Sequence, residues 1–168
     1  MLNKKHYLVL NTNLKRFVVS VVTTELVGGG LGSVLTWSSL QSWYPALIKP
    51  SFTPPGYAIG MIWTVLFFLM GSAFYLVWDS KKGSKERGTS MKLYGLQLIL
   101  NVLWSFAFFY MKSPFYGLVE ISFLLVAIAV TILSFSKISK NAAMLMVPYL
   151  LWVCFAAYLN LSILLLNL

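Results

Sequence analysis

The chain has 168 residues, 59% hydrophobic and 10% charged, with a mean hydropathy of +0.80. Soluble domains are about 45–50% apolar and about 25% charged, so this composition belongs to a protein built for a lipid bilayer. One cysteine, Cys154, and one histidine, His6, exclude a disulfide framework, a Cys-based zinc site and a Ser-His-Asp triad in the apolar body, and no metal site is expected. The net charge of +9 does not indicate nucleic acid: the positive residues lie in short connectors, with no basic groove or binding motif.

In chain order, residues 1–16 form a polar N-terminal segment and 17–168 a single membrane domain. Five apolar stretches are long enough to cross about 30 Å of hydrocarbon as helices rising about 1.5 Å per residue. The first, Phe17 to Leu35, contains Glu25 and the cluster Gly28-Gly29-Gly30-Leu31-Gly32. It is too long for a signal-peptide core and reads as a retained helix. The others run from Pro55 to Trp78, Leu93 to Met111, Phe115 to Phe135 and Ala142 to Leu168. They are too long and too little alternating for barrel strands, and backbone polar groups in lipid must be paired, so complete helices are expected.

Positive charge sets the orientation. Lys4, Lys5, Lys15, Arg16, Lys81, Lys82, Lys85, Arg87, Lys92, Lys137 and Lys140 fall on one side, and only Lys49 and Lys112 on the other. This bias puts the N-terminus inside and the C-terminus outside, which requires an odd number of helices. The fold class expected is therefore an all-α, five-helix transmembrane bundle. Short connectors make helices three to five antiparallel neighbours.

The connector from Thr36 to Pro54 is the long exception. It holds Trp37, Trp43, Tyr44, Phe52 and three prolines, and reads as an ordered lid on the outer face; an interfacial aromatic belt is the simpler alternative. Pro54-Pro55 suits the first turn of the second helix, with Thr53 as a cap.

Helical spacing groups Trp63, Phe67 and Met70 on the second helix, and Asn101, Trp104, Ser105 and Phe108 on the third. It groups Tyr149, Trp152, Ala156 and Asn160 on the fifth. Each face mixes aromatics with small or polar residues, as a cavity wall does; Asn101 and Asn160 serve equally well as interhelical hydrogen-bonding groups. Glu25 and Glu120 are the acidic residues inside apolar runs, a costly placement. Glu25, near the glycines, is expected at a helix interface, and Glu120, near a helix end, at interfacial water. Gly28 and Gly32 form a GxxxG step for close helix contact within or between chains.

Taken together, Trp43-Tyr44-x-x-Leu47-x-Lys49-Pro50-x-Phe52-x-Pro54-Pro55, Trp63, Leu100-Asn101-x-x-Trp104-Ser105-x-x-Phe108-Phe109 and Pro148-Tyr149-x-x-Trp152-x-x-Phe155-Ala156-x-x-Leu159-Asn160 resemble the TspO/MBR family. The resemblance covers about Phe17 to Asn167. It implies a five-helix bundle, often a homodimer, with a ligand pocket closed by the first loop. Some members bind porphyrins, and some bind sterols or synthetic isoquinoline-carboxamide and benzodiazepine ligands. Some bacterial members promote light-dependent breakdown of protoporphyrin IX through two pocket tryptophans, which match Trp63 and Trp152 here. Further pocket positions match Tyr44, Pro54, Phe67, Ser105, Phe108 and Ala156, with Ser105 standing where some members carry asparagine. The basic residue of the C-terminal sterol-associated pattern is missing, because no Lys or Arg follows Lys140.

The expected function is a membrane receptor or carrier for porphyrins or other flat hydrophobic molecules. The ligand-binding set is Tyr44, Pro54, Trp63, Phe67, Asn101, Ser105, Phe108, Tyr149, Trp152 and Ala156. Lys49 near the lid would meet the propionates. Porphyrin enters as ligand and no cofactor is required. The alternatives are a light- and oxygen-dependent porphyrin-degrading enzyme, with Trp63 and Trp152 as its reactive pair, and a structural subunit of a membrane transport complex. The expected partners are the ligand, the bilayer and a second copy of the chain, in the cell membrane of a prokaryote or an organelle membrane of a eukaryote.

Overall fold

The computed structural model describes residues 4–168, with side chains from Thr12 onward. Helix α1 runs in three consecutive pieces: an α-helix Lys4–Thr24, a π-helical stretch Glu25–Leu31 and an α-helix Gly32–Gln41. The short α2 (Trp43–Ala46) lies in the connector. Then come α3 (Gly56–Trp78), α4 (Ser84–Ser105, continued by a π-helical turn Phe106–Tyr110), α5 (Pro114–Ile138) and α6 (Lys140–Leu166). The five long helices are each long and apolar enough to span a membrane. Their outward faces carry exposed apolar side chains such as Val34, Phe123, Leu133, Leu151 and Leu165, which suits contact with lipid.

Several boundaries differ from the sequence reading. The first helix begins at Lys4, so residues 4–16 are its opening turns. It also continues past Thr36 to Gln41, because Ser39 turns inward and its hydroxyl donates to the Phe109 carbonyl at 2.5 Å. The lid is accordingly shorter, residues 42–55. The third span starts at Ser84, not Leu93, so the basic residues Lys85, Arg87 and Lys92 are helical. Two spans are not uniformly α-helical: both π-helical pieces border the cavity described below, as π-bulges often do at functional sites. Pro55 is the N-cap of α3, with φ −63° and ψ 147°, so the proline pair stands just outside the first turn. Thr53 does not cap: its hydroxyl donates to the Pro50 carbonyl at 2.7 Å and closes the preceding turn.

At the other connectors the local chemistry is conventional. Ser113 accepts from the Tyr116 N–H at 3.2 Å, with Pro114 opening α5. Ser139 accepts from the Ala142 N–H at 3.3 Å and opens α6. Both hydroxyls satisfy an N–H that the helix cannot.

Helix α5 packs along both α4 and α6, α3 meets α6, and α1 packs along α3. Fully buried Met70, Ile128, Phe135, Met146 and Tyr149 fill the center. Toward the inner face α1 and α3 are drawn tightly together. A Cβ on Gly71 would lie 2.6 Å from the Val21 Cα. Phe17 stands edge-on to Phe68 and Tyr75, and Arg16 pairs with Asp79 at 2.9 Å while lying over the Trp78 ring. Thr24 and Tyr94 share a buried hydrogen bond of 2.7 Å. Toward the outer face the helices are bridged at fewer points, among them Ser39 to the Phe109 carbonyl and Asn160 to the Pro114 carbonyl, and a cavity opens between them.

Candidate ligand pocket

The cavity measures about 510 Å³ and is bounded by α1, α3, α4, α6 and the lid. That lies within the roughly 300–1,000 Å³ range of small-molecule sites. Trp63 and Phe67 form the α3 wall, their rings stacked with centroids 5.2 Å apart. From α4 come Asn101, Ser105 and Phe108, with Trp104 stacked on Phe108 at 5.5 Å. From α6 come Trp152 and Ala156, with Trp152 tilted against Phe155 at 5.4 Å. Tyr44 and Pro54 close the lid side. Nine of the ten residues named from sequence and resemblance therefore line one space, with Trp63 and Trp152 both on its wall.

Tyr149 does not line it. It is completely buried behind the wall, edge-on to Trp63 at 6.1 Å, and its hydroxyl accepts from the Asn101 side-chain amide at 3.1 Å. Asn101 and Asn160 play both roles left open by the sequence: they line the cavity and join helices. Asn160 donates to the Pro114 carbonyl at 2.7 Å and accepts from the Trp104 indole at 3.4 Å. The Gly28-Gly32 step is used within the chain. Phe67 lies so close to Gly28 that any Cβ there would collide with its ring, and a Cβ on Gly32 would sit 3.5 Å from the Ser105 hydroxyl oxygen.

Two charged residues stand elsewhere than expected. Glu25 borders the cavity instead of a plain helix interface. Glu120 does not reach interfacial water: both carboxylate oxygens are buried without a hydrogen-bond partner. Cavity residues that sequence reasoning missed include Phe155, Leu159 and Ile163; with Trp152, Ala156 and Asn160 they complete one face of α6 by helical spacing.

The lid is a folded unit. Lys49 donates to the carbonyls of Tyr44 (2.7 Å), Leu47 (3.0 Å) and Pro45 (3.3 Å), and its ammonium lies 4.8 Å from the center of the Tyr44 ring. An ammonium has three donors, and all are engaged, so Lys49 holds the lid in shape and is not available to ligand carboxylates. Burial pushes the Tyr44 phenol above its ordinary value of 10, so it stays neutral at physiological pH. Phe52 stacks on Tyr158 of α6 at 5.3 Å. Asn167, just past α6, clamps the lid backbone: its side chain accepts from the Ile48 N–H at 3.0 Å and donates to the Ile48 carbonyl at 2.9 Å.

That clamp gives a local prediction. Asn167→Ala removes both bonds, each worth roughly 1 kcal/mol net. Amide hydrogen exchange at residues 43–53 is expected to accelerate by about tenfold, with exchange in α5 unchanged. Equal exchange in both proteins would show that the ring contacts alone hold the lid.

Among the described residues, no three His, Cys, Asp or Glu side chains gather as metal ligands. The chemistry available at the cavity is stacking, apolar burial and a few hydrogen bonds.

The chain is similar to known proteins along most of its length. The chain is 43% identical over 142 residues to the tryptophan-rich protein TspO of Chlorobaculum tepidum, covering 84% of this chain and 90% of that one. It is 39% identical over 155 residues to the tryptophan-rich protein TspO of Archaeoglobus fulgidus, covering 92% and 99%. It is 36% identical over 135 residues to the translocator protein of Bos taurus, covering 80% of each. The model of the TspO/MBR family matches residues 20–166, nearly the whole membrane domain with its lid and cavity, and the chain belongs to that family.

Proposed function

We propose that this membrane protein is a receptor or carrier that binds porphyrins, and other flat hydrophobic molecules of similar size, in the cavity beneath the lid. The observation that carries the reading is the wall itself: Trp63, Phe67, Phe108 and Trp152 present aromatic rings around one space of about 510 Å³. A macrocycle gains by stacking on such rings and by leaving water, and the lid supplies a cover. With Lys49 engaged in the lid and no cation on the wall among the described residues, the propionates of a bound porphyrin point out toward the lid surface and solvent.

Titration of the purified protein with protoporphyrin IX is expected to quench tryptophan fluorescence saturably. Affinity should fall at least about tenfold in the Trp63→Phe, Trp152→Phe double variant, since each aromatic contact is worth about 1 kcal/mol beyond area burial. Linear, non-saturating quenching that is the same in both proteins would contradict the proposal.

A second reading, photo-oxidative degradation of the bound porphyrin, is favored by one observation. Two oxidizable indoles border the same space, and Tyr149 stands edge-on behind one of them. Illumination of the aerobic complex would then bleach the pigment faster in the wild type than in the double variant at equal occupancy. Equal bleaching would leave binding as the whole function. A second copy of the chain, meeting the first through exposed apolar helix faces, is part of the same proposal.

A further inference from the structure

Among the described residues the cavity wall carries one acidic side chain, Glu25, in the π-helical stretch of α1. It lies nine residues beyond Arg16, about 14 Å deeper along the helix at 1.5 Å per residue. It is also sixteen residues short of Gln41, after which the lid begins. Glu25 therefore sits at the inner end of the cavity, and the outer end lies under the lid. Its side chain runs toward the cavity edge beside Gly29, where a Cβ would lie 3.6 Å from the Glu25 Oε2.

Most other polar side chains on the wall are already used. Ser33 donates to the Gly29 carbonyl, Thr36 to Ser33 and Thr64 to Gly60, while Asn101 and Asn160 bridge helices. Among the described residues, no hydrogen bond or ion pair reaches the Glu25 carboxylate. A carboxylate in the apolar part of a membrane helix is costly unless something pairs with it. Ordinary packing would place a neutral residue beside three glycines and a phenylalanine. Among the described residues the wall thus offers an unpaired carboxylate at its inner end, one unpaired indole N–H at Trp152 and no cation.

The geometry points to Glu25 as a specificity-determining residue: the cavity selects flat hydrophobic ligands that carry an N–H donor, most favorably a cationic amine, on the edge that enters deepest. The inference rests on the cavity being the ligand site, as proposed above. It goes further by assigning a polarity to the ligand: donor inward, anionic groups outward. A hydrogen bond to a charged group is worth about tenfold or more in affinity, and a like charge at the same place costs a comparable factor.

The test uses three tricyclic probes of one shape: 9-aminoacridine (cationic, with N–H donors), anthracene (neutral, no donor) and acridine-9-carboxylate (anionic). Each is titrated against the full chain in nanodiscs of uncharged phosphatidylcholine, with tryptophan quenching as readout. The wild type is expected to bind the amine at least about tenfold more tightly than the carboxylate. Glu25→Gln should abolish that preference by weakening the amine about tenfold while leaving anthracene unchanged. Anthracene also reports that the variant keeps its cavity. Equal affinity of the wild type for amine and carboxylate would overturn the inference without recourse to any variant, as would an unchanged amine affinity in Glu25→Gln. Failure of the cavity reading looks different: all three probes would then be indifferent to Trp63→Phe with Trp152→Phe.

Discussion

Replacing Gly71 with valine is expected to separate α1 from α3 and destabilize the bundle more than any other single small substitution. A Cβ at position 71 would stand 2.6 Å from the Val21 Cα, and 3.1 Å from both the Ser20 carbonyl oxygen and the Val21 amide nitrogen. All three are backbone atoms, so no rotamer change relieves the overlap and one helix must move. Overpacking of this kind costs about 1–3 kcal/mol, and a rigid backbone neighbor puts the site at the upper end. The displacement would also stretch the contacts that flank it: the Arg16–Asp79 pair and the Thr24–Tyr94 hydrogen bond. Thermal unfolding in detergent should therefore shift down by several degrees, with Gly71→Ala intermediate. Gly60→Ala is the control, since nothing lies within 4 Å of a Cβ there. Equal melting of the Gly71 and Gly60 variants would show that α1 is not fixed at this point.

The second large effect is expected from filling the cavity without touching the fold. Ala156 lies on the wall beside Phe155 and points its small side chain into a space of about 510 Å³. A phenyl ring at that position occupies part of the volume that a flat ligand needs. The exchange adds apolar atoms to existing empty space, so stability should stay the same or rise. Protoporphyrin IX affinity should fall about a hundredfold, because a rigid macrocycle cannot bend around an inserted ring as a flexible chain could. Each tenfold corresponds to about 1.4 kcal/mol, so the predicted loss is about 3 kcal/mol. Undiminished affinity in a stable Ala156→Phe protein would place the ligand elsewhere on the molecule.

Much of this architecture is legible in the sequence, for physical reasons that also explain where reading stops. The five spans show because each needs about twenty apolar residues to cross lipid, a signal no local interaction overrides. The end of α1 does not show, because Thr36 to Gln41 breaks the apolar run with four polar residues, and one of them, Ser39, is tied inward by a tertiary bond to the Phe109 carbonyl. Wall residues on α3, α4 and α6 follow from the 3.6-residue period, which places Trp63 with Phe67 and Trp152 with Ala156. The period gives direction but not depth: Tyr149, seven residues before Ala156, shares its direction yet sits behind the wall, fully buried. Glu25 was hidden for a different reason. Spacing puts it on one face with Gly29, Ser33 and Thr36, but does not tell whether that face meets another helix or a cavity. Lys49 reads from sequence as a free charge beside a pocket mouth. Only the folded lid reveals three carbonyls of its own loop converging on it.

The central claim is that the space between Trp63 and Trp152 is where a tetrapyrrole binds. A structure of the protein with protoporphyrin IX tests it most directly. The account predicts the macrocycle beneath the lid in contact with Trp63, Phe67, Phe108 and Trp152, with its propionates toward the lid and solvent. A macrocycle found on the lipid-facing surface, or in the cavity with its propionates directed at Glu25, would contradict it.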